Sequence, residues 1–208
     1  MLKQNPDTRS RRDKILDAAE RAMLHKGVSG TTIDELIAEV DISKNGFFYH
    51  FRDKDQMVEA ILERNLAVDR EWFDGLLGQA ARVGEDPLAR FLAFLELMAS
   101  EMERKEGGHP GCLTTACCYQ DRLLGNSVRQ AAAKILLQWR STLLEQLEEI
   151  SRMYPPNHDV ALEELADMLS AVIDGAIIFG RVVNDPQVLP RQIRLYRNII
   201  QSTFAGCK

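Results

Sequence analysis

The side chains best suited to chemistry gather around one glycine-rich stretch, His109-Pro110-Gly111-Cys112-Leu113, followed closely by Cys117-Cys118-Tyr119. A helix amino terminus lowers the pKa of a thiol and favours the reactive thiolate, and Cys112 stands where such a helix would begin. Cys112 is therefore a candidate sensor thiol, against the alternative of a small buried apolar residue. A metal site built from His109, Cys112, Cys117 and Cys118 is disfavoured, because residues five apart diverge by about 140° on a helix of ~3.6 residues per turn. The fourth cysteine is Cys207, and none occurs in the first 111 residues, a distribution that fits reduced thiols better than a disulfide framework. The sequence holds no P-loop, no G-x-S-x-G and no H-E-x-x-H, and its one Glu-x-x-His spacing, Glu106 to His109, lies in the glycine-rich stretch. A carboxylate-bridged helical metal enzyme would need two such pairs on facing helices. The expectation is a protein that is not an enzyme and has no metal and no cofactor.

A second group of residues is polar and basic. Ser43, Lys44, Asn45 and Gly46 open a short segment that continues through Phe47, Phe48, Tyr49 and His50 to the charged break Arg52-Asp53-Lys54-Asp55. Short polar residues at the start of such a helix can reach base edges and phosphates, and a helix of this size fits the ~12 Å major groove of DNA. The charge distribution agrees. Residues 1–26 carry seven basic and four acidic side chains, a balance of +3, so the remainder carries -8 of the total -5. A basic amino end on an acidic body suits a small nucleic-acid contact.

The elements that position these groups read as helices throughout. Ile15, Ala18, Ala19 and Ala22, and then Ile33, Leu36, Ile37 and Val40, both follow the i, i+3, i+4, i+7 pattern of an amphipathic helix. Thr8 or Ser10 can cap the first and Gly27 with Gly30 end it, while Thr31 or Thr32 starts the second and Ser43 the third. Longer helices are expected at about 54–77, 88–104, 127–152, 159–183 and 189–204, with a short segment at 112–122. The 208 residues give one large domain or two small ones, and an apolar fraction of 45% beside 27% charged residues excludes collagen-like and disordered classes. No stretch reaches the ~18 apolar residues of a membrane span, and the opening MLKQNPDTRSRRDK is too polar for a signal peptide. A soluble, cytoplasmic protein with no membrane partner is expected.

The run TTIDELIAEVDISKNGFFYHFRDKDQMVEAIL, from Thr31 to Leu62, resembles the amino-terminal DNA-binding signature of the TetR family of bacterial transcriptional regulators, and Arg12 through Gly27 fits its first helix. Beyond these residues the likeness is one of length and helical layout. The resemblance implies an all-α, TetR-like fold, with a three-helix helix-turn-helix DNA-binding head at 1–52 and a helical ligand-sensing and dimerisation domain at 53–208. It places Thr32 on a phosphate, Ser43, Lys44 and Asn45 at the major groove, Tyr49 and His50 on base or backbone, and Lys54 on a phosphate. Phe48 stands where the family usually has tyrosine. Lacking the hydroxyl, it is read as core together with Phe47 and Phe51, with Tyr49 supplying the contact.

The same resemblance implies a homodimer formed through the last two helices, a near-palindromic double-stranded DNA operator, and an unidentified small-molecule inducer. The apolar segment Met168–Phe179, nearly uniform around a helix, fits either a central core helix or, the favoured reading, a helix that packs on its copy in a symmetric dimer. The Gly-Cys-Leu step resembles that of family members among which some sense electrophiles or oxidants. Candidate ligand- or thiol-sensing residues are Cys112, Cys117, Cys118, Met98, Met102, Trp139 and Phe179, with Phe91, Phe94 and Tyr119 as further apolar lining. The expected function is a repressor released by a small molecule or a thiol-reactive compound. The alternative is an all-helical adaptor, or a metal-binding enzyme, with a vestigial helix-turn-helix.

Overall fold

The computed structural model describes residues 10–118 and 124–205. Among these the chain forms α1 (Arg11–Lys26), α2 (Ile33–Val40), α3 (Lys44–His50), α4 (Lys54–Ala80), α5 (Pro87–Glu103), α6 (Leu113–Cys118), α7 (Asn126–Met153), α8 (Leu162–Val182) and α9 (Val188–Phe204), with a 3-10 turn at Ala81–Val83. The described residues include no strand, and the fold is all-α. Thr8, Tyr119 and Cys207 lie outside the described residues. The helices pack as two compact units: Met1–Leu66 with Cys112–Ala133, and Ala67–Gly111 with Lys134–Lys208. Helices α4 and α7 contribute to both.

In the first unit, local chemistry sets the helix ends. Ser10 caps α1 by accepting from the Asp13 N–H at 3.2 Å, and Gly27, at φ 82°, takes the left-handed turn that stops it. Thr32 and Glu35 form a reciprocal capping box at the start of α2, which ends at Asp41 in the left-handed region. Ser43 caps α3. Ile15, Leu16, Ala18, Ala19 and Met23 from α1 are buried with Leu36, Phe47, Phe51, Met57, Val58, Ile61 and Leu62. Of the apolar stripe on α2 only Leu36 is fully buried, since a two-turn helix at the margin of so small a core covers one residue completely. Helix α6 packs on α1. Arg64 of α4 reaches Asp17 and Glu20 of α1 at 2.7 and 2.6 Å, and Asn65 adds a bond to Glu20 at 3.0 Å.

Two adjacent residues at the start of α4 hold separate segments of this unit. The Lys54 ammonium donates to the carbonyls of Val28 and Thr31, both at 2.5 Å. The Asp55 carboxylate accepts from the N–H of Gly125, just before α7, at 2.8 Å. A Cβ at position 125 would lie 2.8 Å from the same oxygen, so a larger residue there would require the Asp55 carboxylate to shift.

The second unit has its own core, in which α5, α8 and α9 interlock around Phe91, Phe94, Leu95, Met98, Leu169 and Tyr196. The buried Tyr196 hydroxyl donates to the Leu165 carbonyl at 2.8 Å, satisfying its polar tip. Arg194 of α9 bridges Glu96 and Glu103 of α5 at 3.0 and 2.7 Å. Asp86 caps α5 through the Leu88 and Ala89 amides, with Pro87 at the first helical position. Helix α8 divides its apolar residues. Leu169, Ala176 and Ile177 are buried, whereas Ile178, Phe179 and Val182 are exposed, the last at 79%.

Candidate nucleic-acid interface and sensor residues

Helix α3 has only seven residues, so a single stripe can face inward, and Phe47 and Phe51 occupy it at four-residue spacing. The Arg12 guanidinium lies over the Phe51 ring at 5.3 Å. Asn45 and Tyr49 project from the opposite face, and with Lys44 at the first turn and Phe48 at the flank they make up the exposed surface of the helix. Tyr49 is 85% exposed, and its ring meets His50 edge-on at 5.0 Å. Phe48 is 44% exposed, which corrects its reading as core. One residue after Phe47, it is turned about 100° away from the buried stripe. Its ring still leans edge-on against Phe47 at 5.5 Å.

The polar residues of this face are held loosely. Ser43 accepts from the Gly46 N–H at 3.0 Å, so part of its bonding capacity serves the cap. Lys44 makes a 3.5 Å ion pair with Asp34 in which both side chains are well exposed. Such a pair contributes at most ~1 kcal/mol, and a phosphate can displace it.

The two residues expected on phosphate are engaged inside the chain. The Thr32 hydroxyl accepts from the Glu35 amide at 3.3 Å and donates to the Glu35 carboxylate at 3.0 Å. Bonds from Lys26 and Thr32 draw the Glu35 carboxyl down to about 2, so a carboxylate sits beside Thr32. Lys54 is half-buried beneath the turn between α1 and α2, and burial lowers its pKa. Its ammonium satisfies two carbonyls instead of standing free on the surface. The acceptors are 23 and 26 residues away in sequence, so no local pattern signals them.

The sensing candidates separate by unit. Cys112, Cys117 and Cys118 belong to the first unit, and Met98, Met102, Trp139 and Phe179 to the second. Cys112 is half-buried, and its carbonyl accepts the first bond of α6 from the Ala116 amide at 3.0 Å. Cys118 is exposed. Cys117 is buried, and burial, reinforced by the neighbouring Cys118 and Cys112, pushes its thiol up to about 12. Burial sets it apart from the more accessible thiols of Cys112 and Cys118. No three His, Cys, Asp or Glu side chains among the described residues are placed to hold a metal.

In the second unit Met98 is fully buried, and Met102 and Trp139 pack against the same core. Phe179 is 59% exposed and lies outside that cluster, so it does not line an interior cavity. Trp139 stacks edge-on with Phe73 at 4.7 Å and donates to Asp69 at 3.1 Å. These three border a groove of about 190 Å³ that also takes in Arg70, Asp74 and Glu145. The carboxylates of this groove escaped sequence reasoning, because acidic residues on an exposed helix face give no pattern of their own.

Residues 15–61 match the family model described as bacterial regulatory proteins, tetR family. Over nearly the full chain the sequence is similar to an HTH-type transcriptional regulator encoded in the lacX 3' region of Lactococcus lactis subsp. lactis, 23% identical across 91% of this chain and 92% of that one. It is also similar to the transcriptional regulator AcuR of Cereibacter sphaeroides, 26% identical across 88% of this chain and 82% of the relative. Among solved structures, the reduced form of Escherichia coli NemR superposes with a TM-score of 0.75 at 22% identity, covering 90% of this chain and 95% of that one. A TetR transcriptional regulator from Chloroflexus aurantiacus gives 0.76 at 20% identity, covering 93% and 95%.

Proposed function

The chain belongs to the TetR family of transcriptional regulators, and from this premise we propose that it is a homodimeric repressor, released from a near-palindromic operator by a small molecule or a thiol-reactive compound. The observation that carries the reading is the outer face of α3, where Lys44, Asn45 and Tyr49 stand exposed around the Ser43 cap while Phe47 and Phe51 anchor the helix from behind. In this reading residues 1–52 are the DNA head and 53–208 the sensing and dimerisation part. Ser43, Lys44, Asn45, Tyr49 and His50 meet the DNA. Thr32 and Lys54 act one step back, holding the turn that sets the angle of the reading helix. Pairing through α8 and α9 is supported by the exposed apolar residues Ile178, Phe179 and Val182 on α8 and Leu195 on α9. Two heads then meet two half-sites.

Release follows from linkage. An inducer that weakens operator binding by a given factor must bind the DNA-free conformation better by the same factor. For a thiol trigger, Cys112 and Cys118 are the accessible candidates and Cys117 is not.

The test is fluorescence anisotropy on DNA from upstream of the protein's own gene, with reductant and then with a thiol-reactive electrophile. Binding that the electrophile abolishes, and that Cys112→Ser makes resistant, supports the thiol-triggered repressor. Binding indifferent to the electrophile points to an organic ligand in the second unit. Failure to bind any DNA at low salt, where phosphate attraction is strongest, favours a helical adaptor.

A further inference from the structure

A cleft of about 220 Å³ in the second unit has no part in the operator reading. It lies between the loop after α5, residues 107–110, the last turns of α8, and the loop that leads to α9. Ala176, Ile177 and Leu189 give it an apolar wall, and His109 and Arg181 supply its polar groups. The Gly111 N–H donates to His109 Nδ1 at 3.2 Å. An imidazole that accepts at Nδ1 carries its proton on Nε2, and Nε2 has no partner among the described residues. Arg181 donates through Nη2 to the Pro110 carbonyl, which fixes the guanidinium and leaves its other N–H groups uncommitted among the described residues.

The charges around the cleft favour an anion. Lys105 follows α5, Arg181 lies on α8 and Arg191 on α9, against Glu106 in the loop and Asp185 after α8. Asp185 accepts from the Gln187 amide at 2.9 Å and pairs with Arg191 at 2.6 Å, so those two charges cancel and Lys105 and Arg181 stand against Glu106. Burial, and after it the positive charges of Lys105 and Arg181, press the His109 pKa down to about 4. The imidazole therefore sits in a field that an incoming negative charge would relieve.

We propose that this cleft binds a short organic carboxylate. One oxygen accepts from the Arg181 guanidinium and the other from His109 Nε2–H, while the hydrocarbon end rests on Ala176, Ile177 and Leu189. The volume falls below the ~300–1,000 Å³ of drug-sized pockets, which limits the ligand to a small acid. Inorganic phosphate fits worse, because the apolar wall would strip water from a multivalent ion without replacing its hydrogen bonds. The site shares no residue with those proposed to meet DNA, so its test needs no operator.

The experiment is an NMR titration of the full chain near neutral pH, following the His109 Cε1–H resonance with propionate, propionamide and inorganic phosphate at matched ionic strength. Propionate is expected to give a saturable shift and to raise the His109 titration midpoint by about one pH unit, and propionamide to give neither. Arg181→Gln, at an exposed position, should weaken propionate binding by about tenfold with the unfolding midpoint unchanged. The absence of a saturable shift in the wild-type protein, an equal response in the Arg181→Gln variant, or propionamide binding as well as propionate would each overturn the site. Phosphate binding more tightly than propionate would overturn the carboxylate assignment.

Discussion

Replacing Lys54 by methionine keeps the aliphatic stem and removes the ammonium that holds Val28 and Thr31. Hydrogen bonds to a charged group contribute ~1.5–3 kcal/mol each. The variant also regains what it costs to desolvate the ammonium, and water can reach the freed carbonyls at this half-buried position, so the net loss should be about 2 kcal/mol. For a chain of this size that corresponds to a fall in melting temperature of about 4–8 °C. Two measurements together separate a clamp from a phosphate contact. Thermal unfolding followed by circular dichroism reports the clamp. The slope of log affinity against log salt reports phosphates, and each one lost reduces it by about 0.9. The clamp predicts a lower melting temperature with an unchanged salt slope. An unchanged melting temperature with a slope smaller by about one would refute it and return Lys54 to the DNA surface.

Lys44→Ala and Asn45→Ala should each cost ~1–3 kcal/mol on the operator and relax sequence preference; equal losses on matched and scrambled sites, measured by anisotropy, would remove them from the base-reading face. Phe179→Asp places a charge in the exposed apolar face of α8 and should give a folded monomer in sedimentation velocity, with operator binding reduced at least about tenfold; an intact dimer would move the interface elsewhere. His109 supplies a pH dependence of defined sign. Its folded-state value, about 4, lies below the ordinary 6.5, so its contribution to stability is complete above 6.5 and is lost as the pH falls from 6.5 to about 4. Urea unfolding in the absence of added carboxylates should show that loss, and His109→Gln should flatten it; a wild-type profile that is flat over this interval would contradict the half-buried neutral imidazole.

The parts of the molecule governed by near neighbours were readable from sequence. Ser10, Thr32 and Ser43 stand where capping rules put them, and Gly27 ends α1 because few other residues accept its backbone angle. Phe48 was misread for a reason specific to short helices. Three consecutive aromatics resemble a core segment, but seven residues provide one buried stripe, and the middle residue of the three falls outside it. Phe179 escaped for the opposite reason. A helix apolar all round gives periodicity no phase, so only packing decides that Ile177 turns inward and Phe179 outward. Cys117 and Cys112 have the same chemistry in sequence, and only the fold separates a buried thiol within α6 from a half-buried one just before it. The bonds of Lys54 and Asp55 reach residues tens of positions away, beyond any local rule.

That adjacent pair also bears on how the molecule can be rebuilt. A chimera that replaces residues 1–52 by those of a relative would part Lys54 from the carbonyls of Val28 and Thr31 and leave it facing a foreign turn. A junction placed after Leu66 carries the lysine, its acceptors and the Arg64 links to α1 across as a single graft. Position 125 of the recipient then matters too, since a larger residue there would press on the transplanted Asp55 carboxylate and require it to shift. The transferable amino-terminal piece of this chain is thus longer than its first three helices, and its fit depends on the residue at one distant position.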